Sequence, residues 1–195
     1  MAHAPLPPDA LTAALQKEEP RAGKKPSTLK ALTKGADVMA EEQASVIAAL
    51  LTYVDTDAIR FRAENPLVLA EQEPLLRPLL VGLGERFDVH IATTQGLAPL
   101  PENPALTERV QHFLETLTPY QLSAALFLTQ TGDSVLLAIA ALVGLVDAEQ
   151  FMAAAYVEQD IQTARYGKDE AVEAKRNARY HEVKDAFLFL SLLRE

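Results

Sequence analysis

The passage whose residue types and spacing come nearest to catalysis is Asp55-Thr56-Asp57, which follows Leu50-Leu51-Thr52-Tyr53-Val54. Phosphotransferases of the haloacid dehalogenase type place two aspartates this way after a buried strand. They also need a strand–helix alternation and a later lysine and acidic pair to hold magnesium and phosphate. Here the preceding residues recur at helical spacing. The two aspartates therefore read as a helix-to-loop junction whose carboxylates accept from backbone amides. Gly82-Leu83-Gly84 lacks the third glycine and the preceding strand of a dinucleotide loop. His3, His90, His112 and His181 are scattered without ligand-like spacing, and the chain has no cysteine for thiol chemistry or cysteine-ligated metal. Neither an enzyme nor a cofactor nor a metal centre is expected.

A second set of residues suggests binding rather than catalysis. Asp147, followed three residues later by Gln150, predicts a capped helix start, and the segment 147–173 reads DAEQFMAAAYVEQDIQTARYGKDEAVE. At about 100° per residue, Phe151, Ala154, Ala155 and Ile161 share one face within roughly 80°. Glu158 and Gln162 fall within roughly 20° of Phe151, and Arg165 about 40° away, so polar groups occupy the middle of an apolar stripe. An ionised carboxylate placed there must be met by something, because burying it unpaired is costly. Two readings stay open: an internal partner such as Arg165 or a base from another helix, or a face offered to another protein with Glu158 and Gln162 as polar anchors.

The elements that position these groups are predicted to be helical. Helices are expected at 27–34 and from Met39 to about Tyr53, where Met39, Val46, Ile47, Leu50 and Leu51 recur behind Glu41 and Glu42. Residues 67–87 look helical but carry Pro74 and Pro78, which predicts a kink or a split. Segments 58–63 and 88–93 alternate and are expected to be short strands or extended stretches. Asn103-Pro104 and Thr118-Pro119-Tyr120-Gln121 each supply a cap with proline at the first helical position. Gly132-Asp133-Ser134 breaks the second of these helices and caps the next. Residues 135–146 are apolar on every side, which places that helix at the centre of a bundle. The run is too short to span a membrane and is bounded by Asp133 and Asp147. The last helix has a charged first half and an apolar end through Val183, Phe187, Leu190 and Leu193.

With 195 residues and 49% hydrophobic content, the chain can bury a proper core. A net charge of −9 argues against general binding of nucleic acid or anionic membranes. The local exception is Arg21, Lys24, Lys25, Lys30 and Lys34, a basic run without an acid, read as a solvated linker and helix end. Pro5, Pro7 and Pro8 precede a short helix capped by Asp9, and prolines and a glycine at 20–27 mark a linker. The organisation expected is an N-terminal helical arm and basic linker over residues 1–37 and a helical domain over 38–195. The N-terminus carries neither a secretion nor an import signal, which fits a bacterial cytoplasm, or the mitochondrial matrix if the source is eukaryotic.

Glu158, Gln162, Tyr166, Gly167, Asp169 and Glu170 resemble the acidic, glutamine, aromatic-glycine and acidic pattern of the ATP synthase assembly chaperones that bind the α subunit of the catalytic head. Tyr53, Asp55, Thr56, Asp57, Phe61, Arg62 and Ala63 are similar to that family's tyrosine, acid, Thr-Asp and aromatic-Arg-Ala signature. Gln72 with Pro74-Leu75-Leu76, Gln95-Gly96-Leu97, and Gly132, Ser134, Leu136 and Leu137 continue the series in order, over roughly residues 26–193. The chain departs from the pattern in having Tyr166 where tryptophan is usual, and Gln159 and Ile161 where a second acid and a tyrosine are usual. Relatives also begin with a β-rich domain, and by the resemblance this chain is expected to start at about the helix that follows it. The resemblance implies a mainly α fold with at most two short strands and a chaperone that binds the unassembled α subunit of F-type ATP synthase before it pairs with β. It implies Glu158, Gln162, Arg165, Tyr166 and Asp169 as partner-binding residues, and no small-molecule substrate. The alternative is a helical adaptor with a different client.

Overall fold

The computed structural model describes residues 4–17, 27–167 and 169–194, and the side chain of Tyr166 lies outside what it describes. Its helices are α1 (Asp9–Lys17), α2 (Thr28–Leu51), α3 (Pro66–Phe87), α4 (Pro104–Glu115), α5 (Pro119–Gly132), α6 (Val135–Leu142), α7 (Ala148–Tyr166) and α8 (Glu170–Leu192). Two strands of two residues each, β1 (Phe61–Arg62) and β2 (Thr94–Gln95), pair in parallel, Phe61 opposite Thr94 and Arg62 opposite Gln95. The fold is mainly α, as the periodicity predicts.

The bundle is built around α6. Every residue from Val135 to Ala141 is buried, the outcome expected of a helix with no polar face. Local chemistry fixes its ends. The Ser134 hydroxyl accepts from the Leu137 amide at the start. At the finish Gly144 adopts φ 78°, and the amides of Gly144 and Leu145 return to the carbonyls of Ala141 and Ala140. Helix α5, opened by the Thr118/Gln121 capping box, lies between α6 and α2. Close approach of α2 to α5 rests on Gly35, because a Cβ there would stand 2.6 Å from the Ser123 hydroxyl. That hydroxyl donates to the Leu32 carbonyl.

Several elements differ from the sequence expectation. The two helices predicted at 27–34 and after Met39 are one helix, α2, whose backbone leaves helical geometry only at Glu42 (φ −119°, ψ 26°). The Ser45 hydroxyl donates to the Glu42 carbonyl at this kink, and one apolar stripe from Leu29 through Leu32, Ala36 and Met39 to Leu50 is buried throughout. Helix α3 is likewise unbroken through Pro74 and Pro78. Both prolines and Ala70 are exposed, so the carbonyls that lose an amide partner can be hydrated. Residues 58–60 form a 3-10 turn rather than a strand. The second strand lies at Thr94–Gln95 instead of 88–93. There Asp88 ends α3 in a left-handed conformation, the Val89 amide returns to the Gly84 carbonyl, and the Ala92 carbonyl is taken by the Arg60 side chain.

Leu11 of α1 is fully buried, and α1 packs on α8, so this part of the N-terminal arm docks on the body. The basic residues Arg21, Lys24 and Lys25 lie outside the described residues. Among the described residues, no helix is long and apolar enough to cross a membrane.

Candidate partner-binding surface

The residues singled out in sequence fall into a buried framework and an exposed surface carried by it. Asp57 is the centre of the framework. Its carboxylate, fully buried, accepts from the Ser134 hydroxyl, from the Leu136 amide at 2.9 Å and from the Ile59 amide at 3.3 Å. It therefore pins the turn after α2 to the N-terminus of α6, where unpaired amides and the helix dipole favour a negative group. Burial nevertheless pushes this carboxyl up to about 6, against the opposing pull of those hydrogen bonds and of Arg60. Arg60, also buried, donates to the carbonyls of Val54 and Ala92, and desolvation lowers its pKa. Asp57 is committed on both oxygens, whereas Asp55 and Thr56 are exposed and Tyr53 is half-buried against the core. Asp57 thus serves the helix-to-loop junction by accepting backbone amides, with Asp55 exposed beside it. Among the described residues no group of three or more acids and histidines is placed to hold a metal ion.

Arg62 extends the framework toward the surface. Its guanidinium donates to the Ile59 carbonyl at 2.7 Å and to Glu73 at 2.8 Å, and Glu73 also receives Arg77. These two bases hold the Glu73 carboxyl below its usual range, Arg77 contributing most. Next to them Gln72, 2% exposed, accepts from the Ala63 amide and donates its own amide to Glu158 at 2.9 Å. Gly132 lets α7 approach α5 and α6, since a Cβ there would stand 3.1 Å from Phe151 and 3.2 Å from Leu137.

Glu158 is not where the helical wheel puts it. The buried face of α7 runs through Phe151, Met152, Ala154 and Val157, after which the helix passes the edge of the body. Glu158, Gln162 and Arg165 are exposed and Ile161 is half-buried. The partner that meets Glu158 is the neutral Gln72 amide, and Arg165 does not pair with it. The helical end is held instead by α8. Arg176 reaches Asp160 and lies over the Tyr156 ring at 5.8 Å. Gly167, with φ 97°, closes α7, and Asp169 caps α8 by accepting from Ala171 and Val172. Asp169 thus has a structural duty besides any binding role.

Two open grooves flank this part of α7. One, of about 900 Å³, runs past Phe61, Leu76, Gly132, Ala155, Val172 and Asp169. The other, of about 750 Å³, lies between α7 and the β1/β2 loops, past Phe61, Val68, Gly96, Leu97, Ile161 and Arg165. Glu158 and Gln162 line both. The sequence reading did not single out Leu97 as a contact residue. It is 99% exposed on a turn pinned by the Gly96 amide, which donates to the Arg62 carbonyl at 2.8 Å. The signal available was Gln95-Gly96-Leu97 itself, a glycine that holds φ 64° before a bare leucine.

No family model and no curated protein sequence matches the chain. Among solved structures, Atp12 from Paracoccus denitrificans superposes with a TM-score of 0.88 at 24% identity, over 98% of this chain and 88% of that one. A point mutant of P. denitrificans Atp12p gives 0.86 at 25% identity, over 95% and 82% of the two chains. The Atu1473 protein of Agrobacterium tumefaciens gives 0.85 at 21% identity, over 95% and 72%. The shared fold brings together residues that the colinear signature scatters along the sequence: Asp57 with Ser134, and Gln72 with Glu158. The chain thus shares the fold of these Atp12 structures, the mainly α fold that the signature residues imply.

Proposed function

We propose that the protein is an assembly chaperone that holds the unassembled α subunit of F-type ATP synthase until the β subunit takes its place. The observation that carries this reading is the exposed ridge of Glu158 and Gln162 between two partly apolar grooves, on a chain with the Atp12 fold. An unassembled subunit exposes an apolar interface larger than a monomer normally shows, and such patches associate indiscriminately in water. A helical surface with polar anchors can cover the patch and set its register without hydrolysing anything. Glu158, Gln162, Arg165, Tyr166 and Asp169 are the residues assigned to that contact. The working compartment would be a bacterial cytoplasm, or the mitochondrial matrix in a eukaryote.

Affinity capture from the native cell tests the client. Enrichment of the ATP synthase α subunit, released when purified β subunit is added, is the expected result. Capture of a different protein with no α subunit would make the chain a helical adaptor instead.

A further inference from the structure

The groove between α7 and the β1/β2 loops carries a charge pattern with a direction. Along the exposed edge of α7 stand Glu158, Gln162 and Arg165. Glu158 and Arg165 are seven residues apart, about 10 Å along the helix axis at 1.5 Å per residue. Glu158 is bonded through one oxygen to a neutral amide. Among the described residues, no ion pair joins either Glu158 or Arg165 to a side chain. The facing wall carries Leu97, 99% exposed, with half-buried Val68 and Phe61 beside it, and exposed Glu64 and Asn65 at its edge. The turn that bears Leu97 is tied to β1, because the Gly96 amide donates to the Arg62 carbonyl at 2.8 Å. A leucine held bare in water on a pinned turn gains nothing for the fold. As a preformed anchor it loses little entropy on binding.

From this we infer that the α7/β-loop groove receives a partner segment that carries an apolar side chain for Leu97 and Val68 flanked by a base facing Glu158 and an acid facing Arg165, so that the charges fix the direction in which the segment lies. Spacing specifies the segment further. A base and an acid about 10 Å apart are three residues apart in an extended segment, at about 3.3 Å per residue, or seven apart in a helix. The inference rests on the chaperone reading for the identity of the client but not for the chemistry of the groove.

The test uses the full chain with Leu97→Asp, Glu158→Lys, Arg165→Glu and the Glu158→Arg/Arg165→Glu swap. Circular dichroism verifies that each variant folds; all three positions are exposed. Two probes are measured: the isolated ATP synthase α subunit, and synthetic peptides with a central leucine flanked by lysine and glutamate in either order, at both spacings. Leu97→Asp should weaken both interactions by about tenfold or more, the range of a lost central anchor. Wild-type protein should prefer one charge order, and the swap should reverse that preference. If the wild type holds the α subunit and all four variants hold it equally well, the groove proposal is overturned while the chaperone reading stands. If peptides bind in one charge order but the α subunit does not bind, the client assignment fails and the groove survives. Equal binding of both peptide orders, or of neither, overturns the charge register.

Discussion

The Gln72 side-chain amide donates to the Glu158 carboxylate across 2.9 Å and so joins residues 86 positions apart. Gln72 is buried and its carbonyl oxygen holds the Ala63 amide, while Glu158 faces solvent. One glutamine thus links the β1 turn to the proposed contact surface and orients the carboxylate there. The two partners should respond differently to mutation. Gln72→Leu leaves the Ala63 amide without its acceptor and should cost about 1–3 kcal/mol in denaturant unfolding. Glu158→Gln, at an exposed position, should change stability by less than about 0.5 kcal/mol. Equal losses for the two would mean that Glu158 belongs to the core.

Asp57 gives the fold a pH signature whose sign follows from its burial. Its carboxyl is raised from 3.8 to about 6, so the folded protein holds this proton more tightly than the unfolded chain. The associated stability is fully present below pH 3.8, declines as pH rises and is gone above pH 6. Between pH 5 and pH 7.5 the wild type should lose about 1.4 kcal/mol through this group. Asp57→Asn should lack that component, although it places an amide NH₂ against the Leu136 amide and so lowers stability overall. Unfolding free energies of both proteins at the two pH values isolate the effect. A constant difference between them would contradict the assignment.

Gly132 is a packing requirement at the meeting of α5, α6 and α7. A Cβ there meets Phe151 at 3.1 Å and Leu137 at 3.2 Å, both fully buried, so each must shift by a few tenths of an ångström. Gly132→Ala should therefore destabilise the protein by about 1–3 kcal/mol, despite alanine's higher helix propensity. A thermal melt at or above the wild-type midpoint would show that the three helices can separate without cost.

What the sequence made legible was the local chemistry. Caps at Ser134, Thr118, Asn103 and Asp147 were readable because each uses atoms three residues apart. The central place of α6 followed from its having no polar face. Decisions made by tertiary structure were not readable. The wheel gave Glu158 the direction of Phe151 but could not tell that the body ends after Val157. The alternation through Val89 and Ile91 mimicked a strand, although Val89 helps to close α3 and the Ala92 carbonyl is taken by Arg60. The prolines of α3 predict a kink or a split, and the helix is not split because the carbonyls left without an amide face water. The two grooves depend on α7 lying beside α3 in one case and beside the β1/β2 loops in the other, a proximity that no window of sequence encodes.

The most direct measurement of the central claim is light scattering from the isolated ATP synthase α subunit as it is diluted from denaturant, with increasing amounts of this protein. The account predicts that aggregation is suppressed and that the effect saturates near one chain per α subunit, with Glu158→Lys abolishing it while remaining folded. Scattering unchanged at a several-fold excess of the wild-type protein would contradict it.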